Sequence, residues 1–90
     1  MKNAFETIVN NLVGLTGTEK QVKWANNIRN SFIVEIVNGA PANYFEDENK
    51  INSVVNLFNR AKSAKFWSEE VENKGVLTFQ LGRIINTKAY

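Results

Sequence analysis

The chain contains no cysteine and no histidine. The first absence removes disulfides, thiolate metal ligands and thiol nucleophiles together. The second removes the usual zinc sites, histidine-dependent catalytic triads and a histidine pH switch. Proline occurs once and glycine five times, and neither gathers with serine into a linker. No run approaches the roughly 18 to 20 apolar residues that span a bilayer. The opening stretch is broken by Asn3, Glu6, Thr7 and Asn10, so it lacks the continuous apolar region of a signal peptide, and a cytoplasmic location is the default expectation. An excess of one charge is also missing. Eleven basic and nine acidic residues leave a net charge of +2, far short of a surface built around phosphate neutralisation.

What is present is the composition of an ordinary globular domain. Of the 90 residues, 43% are apolar and 22% charged, enough for one core and too few for two. With no repeat or low-complexity segment, residues 1–90 read as a single domain. Fourteen asparagines fit a coding bias better than a function.

The apolar spacing predicts helices. Phe5, Ile8, Val9, Leu12 and Val13 share one face of a helix over 3–13, with Gly14 as its stop. Thr18 followed by Gln21 forms a capping box, and Thr16 with Glu19 offers a competing register. From there Val22, Ala25, Ile28, Phe32 and Ile36 recur every three or four residues, and Trp24 broadens the stripe beside Ile28. Asn38 and Gly39 stop this second helix before Pro41. At about 20 residues it is near 30 Å long and should organise the domain. The β-branched run 32–37 keeps a strand open as an alternative. Residues 39–46 read as a loop in which Tyr44 and Phe45 fold back. Asp47 or Asn49 caps a third helix with Ile51, Val54, Val55, Phe58 and Ala61 inward. Phe66 and Trp67 lie on its continuation or on a fourth helix, both packing across the second. The end is ambiguous: 76–81 alternate as a short strand would, whereas Leu77, Leu81, Ile84 and Ile85 fit a helix. The expected fold is all-α, a compact bundle of three to five helices with a short strand or irregular segment near 76–81. Its core is Phe5, Ile8, Leu12, Val22, Trp24, Ala25, Ile28, Phe32, Ile36, Ile51, Val54, Phe58 and Phe66, with Trp24 as an anchor between helices.

Chemistry finds little support. Serines 31, 53, 63 and 68 have no histidine to activate them, and none sits in a Gly-x-Ser-x-Gly elbow. The acids fall in short clusters near expected helix ends, where capping and solubility account for them. Glu46, Asp47 and Glu48 lack the register of a calcium loop. Gly14 and Gly17 precede a helix but lack the spacing and the Gly-Lys-Ser/Thr ending of a phosphate loop. No catalytic residue, metal site or cofactor is expected.

Two surfaces remain as candidates. Lys20, Lys23, Asn27 and Arg29 on the second helix, joined by a second basic strip of Arg60, Lys62 and Lys65 if the second and third helices are neighbours, are the residue types that meet phosphates and bases. Nine aromatic residues besides Tyr90 exceed what a small core easily encloses, and surface aromatics anchor protein partners. Tyr44, Phe45, Trp67 and the adjacent Glu69 and Glu70 are the candidates for such contacts.

The segment with Leu15, Thr16, Gly17, Thr18, Lys20, Gln21, Trp24, Ala25, Ile28 and Arg29 resembles a short module of small or composite proteins from phages and integrated mobile elements. Ala64, Phe66 and Trp67 look like its second aromatic element, although similar proteins often continue Trp-Ile-Asp where this chain has Trp67, Ser68 and Glu69. The resemblance spans roughly residues 15–70. It implies a phage or mobile-element accessory protein acting in a host cytoplasm. Proteins of that setting often bind and inhibit host defence complexes, CRISPR effectors among them, and others bind DNA. The expectation is a non-enzymatic protein that binds a host or phage protein, with a small DNA-binding protein as the alternative. No membrane partner is expected, and a homodimer stays open.

Overall fold

The computed structural model describes residues 4–88. Helix α1 (Ala4–Asn10) leads to the long α2 (Glu19–Gly39), a 3₁₀ turn (Tyr44–Glu46), α3 (Glu48–Asn59), a π-helix (Phe66–Glu72) and α4 (Thr78–Lys88). Among the described residues there is no strand, so the domain is an all-α bundle of five helices.

The first helix stops earlier than its apolar pattern, and its expected start at residue 3 lies outside the described residues. Asn11 turns its side-chain amide back to the Thr7 carbonyl at 2.7 Å. The backbone amides of Asn11 and Leu12 close tighter i→i−3 bonds to the Ile8 and Val9 carbonyls, and the chain then leaves the helix axis. Across the loop, Thr18 and Gln21 make both halves of the capping box: the Gln21 amide donates to the Thr18 hydroxyl at 3.2 Å and the Thr18 amide to the Gln21 side chain at 3.1 Å. The Thr16–Glu19 register is not used. Helix α2 then runs unbroken through the β-branched stretch 32–37. It ends where Ala40 takes the extended conformation that a following proline favours. Its 21 residues make about 31 Å, close to the molecule's 35 Å long dimension.

Asp47 caps α3 by accepting the Asn49 amide at 2.9 Å. After α3 the chain comes alongside the α1–α2 loop. The Thr16 amide donates to the Lys62 carbonyl at 2.8 Å, and the Ala64 amide to the Thr16 carbonyl at 2.9 Å. Gly17 makes this approach with a φ of 146°, and a Cβ there would lie 3.1 Å from the Ala64 Cβ. The space and the backbone angle both call for glycine.

The segment expected to continue α3 or to open another helix opens one, wound with i→i+5 bonding. The Ser68 hydroxyl hydrogen-bonds the Ala64 and Lys65 carbonyls, giving local partners to carbonyls that an α-helical turn would otherwise bind. This winding turns Phe66, Trp67 and Val71 inward together, all fully buried. Trp67 is the centre of the core. Its ring centroid lies 6.2 Å from Phe32 of α2, 5.6 Å from Phe58 of α3 and 5.5 Å from Phe66, within the range of favourable aromatic pairs. Its indole N–H donates to the Ala61 carbonyl at 3.0 Å, so the ring is buried without an orphaned polar atom. The ambiguous end is helical: α4 begins at Thr78 and buries Leu81 and Ile85. Residues 76–77 are irregular, and no strand forms there.

Most of the expected core is inside. Ile8, Ala25, Ile28, Phe32, Phe58 and Phe66 are buried, while Phe5, Leu12, Val22, Ile36, Ile51 and Val54 pack against them half-buried. Trp24 is the exception and corrects the expected interhelical anchor: it is 56% exposed. It precedes Ala25, near the middle of the buried stripe, and one residue is about 100° of helix rotation.

Candidate protein-binding groove

The outward face of α2 carries Trp24, Asn27, Ser31, Val34 and Glu35 at the spacing of one helix side. Opposite it the chain leaves the π-helix at Glu72 and turns through residues 73–75. At Gly75, with a φ of 64°, the chain reverses, and the Val76 amide bonds back to the Val71 carbonyl at 3.0 Å. This return places Val76, Leu77 and Thr78 beside α2. The Thr78 hydroxyl donates to the Glu35 carboxylate and fastens the start of α4 to α2.

Between the two walls lies a groove of about 590 Å³, within the size of binding clefts, roughly 300–1,000 Å³. Ile28 and Phe32 are its most buried lining residues, while Trp24, Val34 and Leu77 stand exposed along it. Half of the six large apolar residues exposed among the described residues therefore line this one feature. Phe79, two residues beyond Leu77, is 82% exposed. Clustered exposed apolar groups of this kind mark contact sites more often than single ones do. Glu35 and Glu72 are the charged residues of the lining, and it contains no lysine or arginine.

The residues singled out for protein contacts fall elsewhere. Trp67 is wholly enclosed and presents nothing to a partner in this conformation, a correction to its reading as an interface residue. Its indole is satisfied by a core carbonyl, and its ring is surrounded by aromatics. Tyr44 and Phe45 stack edge to face at 4.9 Å, with the Lys50 ammonium 4.4 Å from the Tyr44 ring centroid, so this corner is tied to α3. Glu69 pairs with Lys65 at 3.7 Å and Glu70 with Lys74 at 2.7 Å.

The basic candidates divide likewise. Lys20, Lys23 and Lys62 are exposed, and Asn27 lines the groove. Arg60 donates to the Asn86 side chain at 2.5 Å. Arg29 corrects the expectation of a surface cation, being only 5% exposed. Its guanidinium donates to the Val13 carbonyl and the Asn26 side chain, both at 3.0 Å, and burial pushes its pKa down from the ordinary value. The Asn59 side chain meanwhile accepts the Val13 amide at 2.8 Å, so Arg29 and Asn59 together clamp the loop after α1. A basic residue that reaches a distant carbonyl leaves no local pattern by which sequence reasoning finds it.

Glu35, Val34, Ser31, Glu72, Leu77 and Thr78 were not among the expected site residues. The available signal was Trp24 itself, whose offset from the buried stripe marks a second face of α2 on which Asn27, Ser31 and Glu35 follow at helical spacing. Comparison with protein-family models, curated proteins and solved structures yields no match for this chain.

Proposed function

We propose that the protein is a non-enzymatic binding module that holds a segment of another protein in the groove between α2 and residues 72–78. The observation that carries this reading is Trp24, a large aromatic side chain at the lip of an apolar-floored groove, outside the enclosed core. Aromatic residues in such positions supply much of the binding energy at protein interfaces. The Thr78 hydroxyl and the Glu35 carboxylate join two helices and hold the two walls of the groove together.

A phage or mobile-element setting, with inhibition of a host defence complex by occupying its surface, is the biological role that the resemblance of residues 15–70 supplies for such a module. Host cytoplasm is the location that goes with it. DNA binding is the weaker reading. It retains the exposed Lys20, Lys23 and Lys62, but Arg29 is inside the fold, Lys65 faces Glu69, and the groove beside Asn27 carries carboxylates.

The test compares affinity capture from producing cells by the wild type, Trp24→Ala, Leu77→Ala and Tyr44→Ala, each first shown to be folded by circular dichroism. The reading expects a partner retained by the wild type and Tyr44→Ala and lost from the two groove variants. Equal retention by all four sinks it.

A further inference from the structure

The charge of the groove specifies its occupant further, on the premise that the groove is the docking site. We infer that it takes a protein segment presenting a large aliphatic side chain next to an arginine. The aliphatic group meets the floor, where Ile28 and Phe32 are buried and Leu77 stands open above them. Burial of such a side chain is the main non-directional gain on binding. The arginine answers the carboxylates: Glu72 on one wall and Glu35 on the other are the charged lining residues, and no cation in the lining offsets them. Lys20 and Lys23 lie one turn from Trp24 and Asn27, outside the lining, so the charges borne by the lining itself are the two carboxylates.

Trp24 favours the same cation. The face of an indole attracts a guanidinium or ammonium held over it. A guanidinium also matches a carboxylate with two parallel hydrogen bonds while its plane stacks on an aromatic ring, which a lysine ammonium does not reproduce. Aliphatic floor, open tryptophan and two carboxylates are therefore complementary to one short motif, and the same carboxylates oppose a phosphate backbone or an acidic peptide.

The experiment is an amide and indole NMR titration of the full-length isotope-labelled protein with three capped dipeptides: leucyl-arginine, leucyl-glutamine and leucyl-glutamate amides. The expected result is movement of the Trp24 indole, Ser31 and Leu77 signals with the leucyl-arginine probe, while the Trp67 indole stays still. Binding of that probe should be at least about threefold tighter than that of leucyl-glutamine and tighter still than that of leucyl-glutamate. Glu72→Gln should remove most of the preference, as should added salt. Equal binding of all three probes at the groove overturns the charge assignment and leaves the docking site standing. No movement of groove signals with any probe at millimolar concentration overturns both. Shifts at the same signals on raising the protein concentration alone would assign the groove to a second copy of this chain, and shifts with duplex DNA would assign it to nucleic acid. Either outcome displaces the arginine-bearing segment.

Discussion

The two tryptophans of this chain stand in opposite relations to the fold. Trp67 is fully enclosed, ringed by Phe32, Phe58 and Phe66, and spends its one polar atom on the Ala61 carbonyl. Trp24 is more than half exposed and lines a groove with Val34, Leu77 and two carboxylates. Both belong to regions dense in apolar residues, and composition does not tell them apart. The difference lies in neighbours. A residue a few positions from Ala61, on a segment drawn against α2, is caught between helices; a residue 100° off the buried stripe of a long helix is left facing outward. The same α2 residues Ile28 and Phe32 serve the enclosed core and form the floor of the groove, beside which Trp24 is left open.

That division ranks the consequences of substitution. Trp67→Ala should cost about 3–5 kcal/mol, a large part of the roughly 5–13 kcal/mol expected for a domain of this size, and urea denaturation should find the largest drop in midpoint among these variants. Arg29→Ala should cost roughly 1–3 kcal/mol, because the Val13 carbonyl and the Asn26 side chain lose their donor. Burial lowers the pKa of Arg29, so its stability contribution would rise only as the pH climbs through the strongly alkaline range in which a free guanidinium loses its proton. Arginine keeps its charge at working pH, and the stability gap between wild type and Arg29→Ala should therefore stay flat from about pH 5 to pH 9. Thr18→Ala should cost about 1 kcal/mol through loss of the capping box, visible as a lower midpoint with an unchanged urea slope. Trp24→Ala should cost no more than about 1 kcal/mol, since less than half of the residue's surface is covered, while abolishing capture of a partner. If Trp24→Ala instead destabilises as Trp67→Ala does, the contrast between the two regions collapses.

Legibility in the sequence followed the range of the interactions involved. The Thr18–Gln21 box, the Asp47 cap and the stripe from Ala25 to Phe32 depend on residues a few positions apart: the sequence shows the stripe directly and narrows each cap to two candidates, Thr18 or Thr16 and Asp47 or Asn49. Trp24 lies outside the stripe because it is adjacent to Ala25 and so about 100° of rotation away from it, a displacement that spacings of three and four do not express. The burial of Arg29 is not legible locally, because its partner Val13 lies 16 positions away. The π-helix depends on Ser68 meeting Ala64 and Lys65 and on a core that draws Phe66, Trp67 and Val71 to one side. The groove depends on the turn at 73–75 bringing residues 76–78 back beside α2, where Thr78 meets Glu35 across 43 positions of chain, and Trp24's offset is the local sign of it. Within the segment 15–29, most of the residues that prompted the resemblance serve the fold: Leu15 is buried, Thr16 and Gly17 meet 62–64, Thr18 and Gln21 cap α2, and Ala25, Ile28 and Arg29 pack inward. Lys20 and Trp24 stay at the surface, which is where a contact function would draw its residues.

The docking role of the groove is tested most directly by photo-crosslinking in producing cells, with a benzoylphenylalanine placed at position 77 in one sample and at position 44 in another. The account predicts a discrete crosslinked partner from position 77, suppressed when Trp24→Ala is added, and none from position 44. Crosslinks from position 44 alone, or from position 77 undiminished by Trp24→Ala, would contradict it.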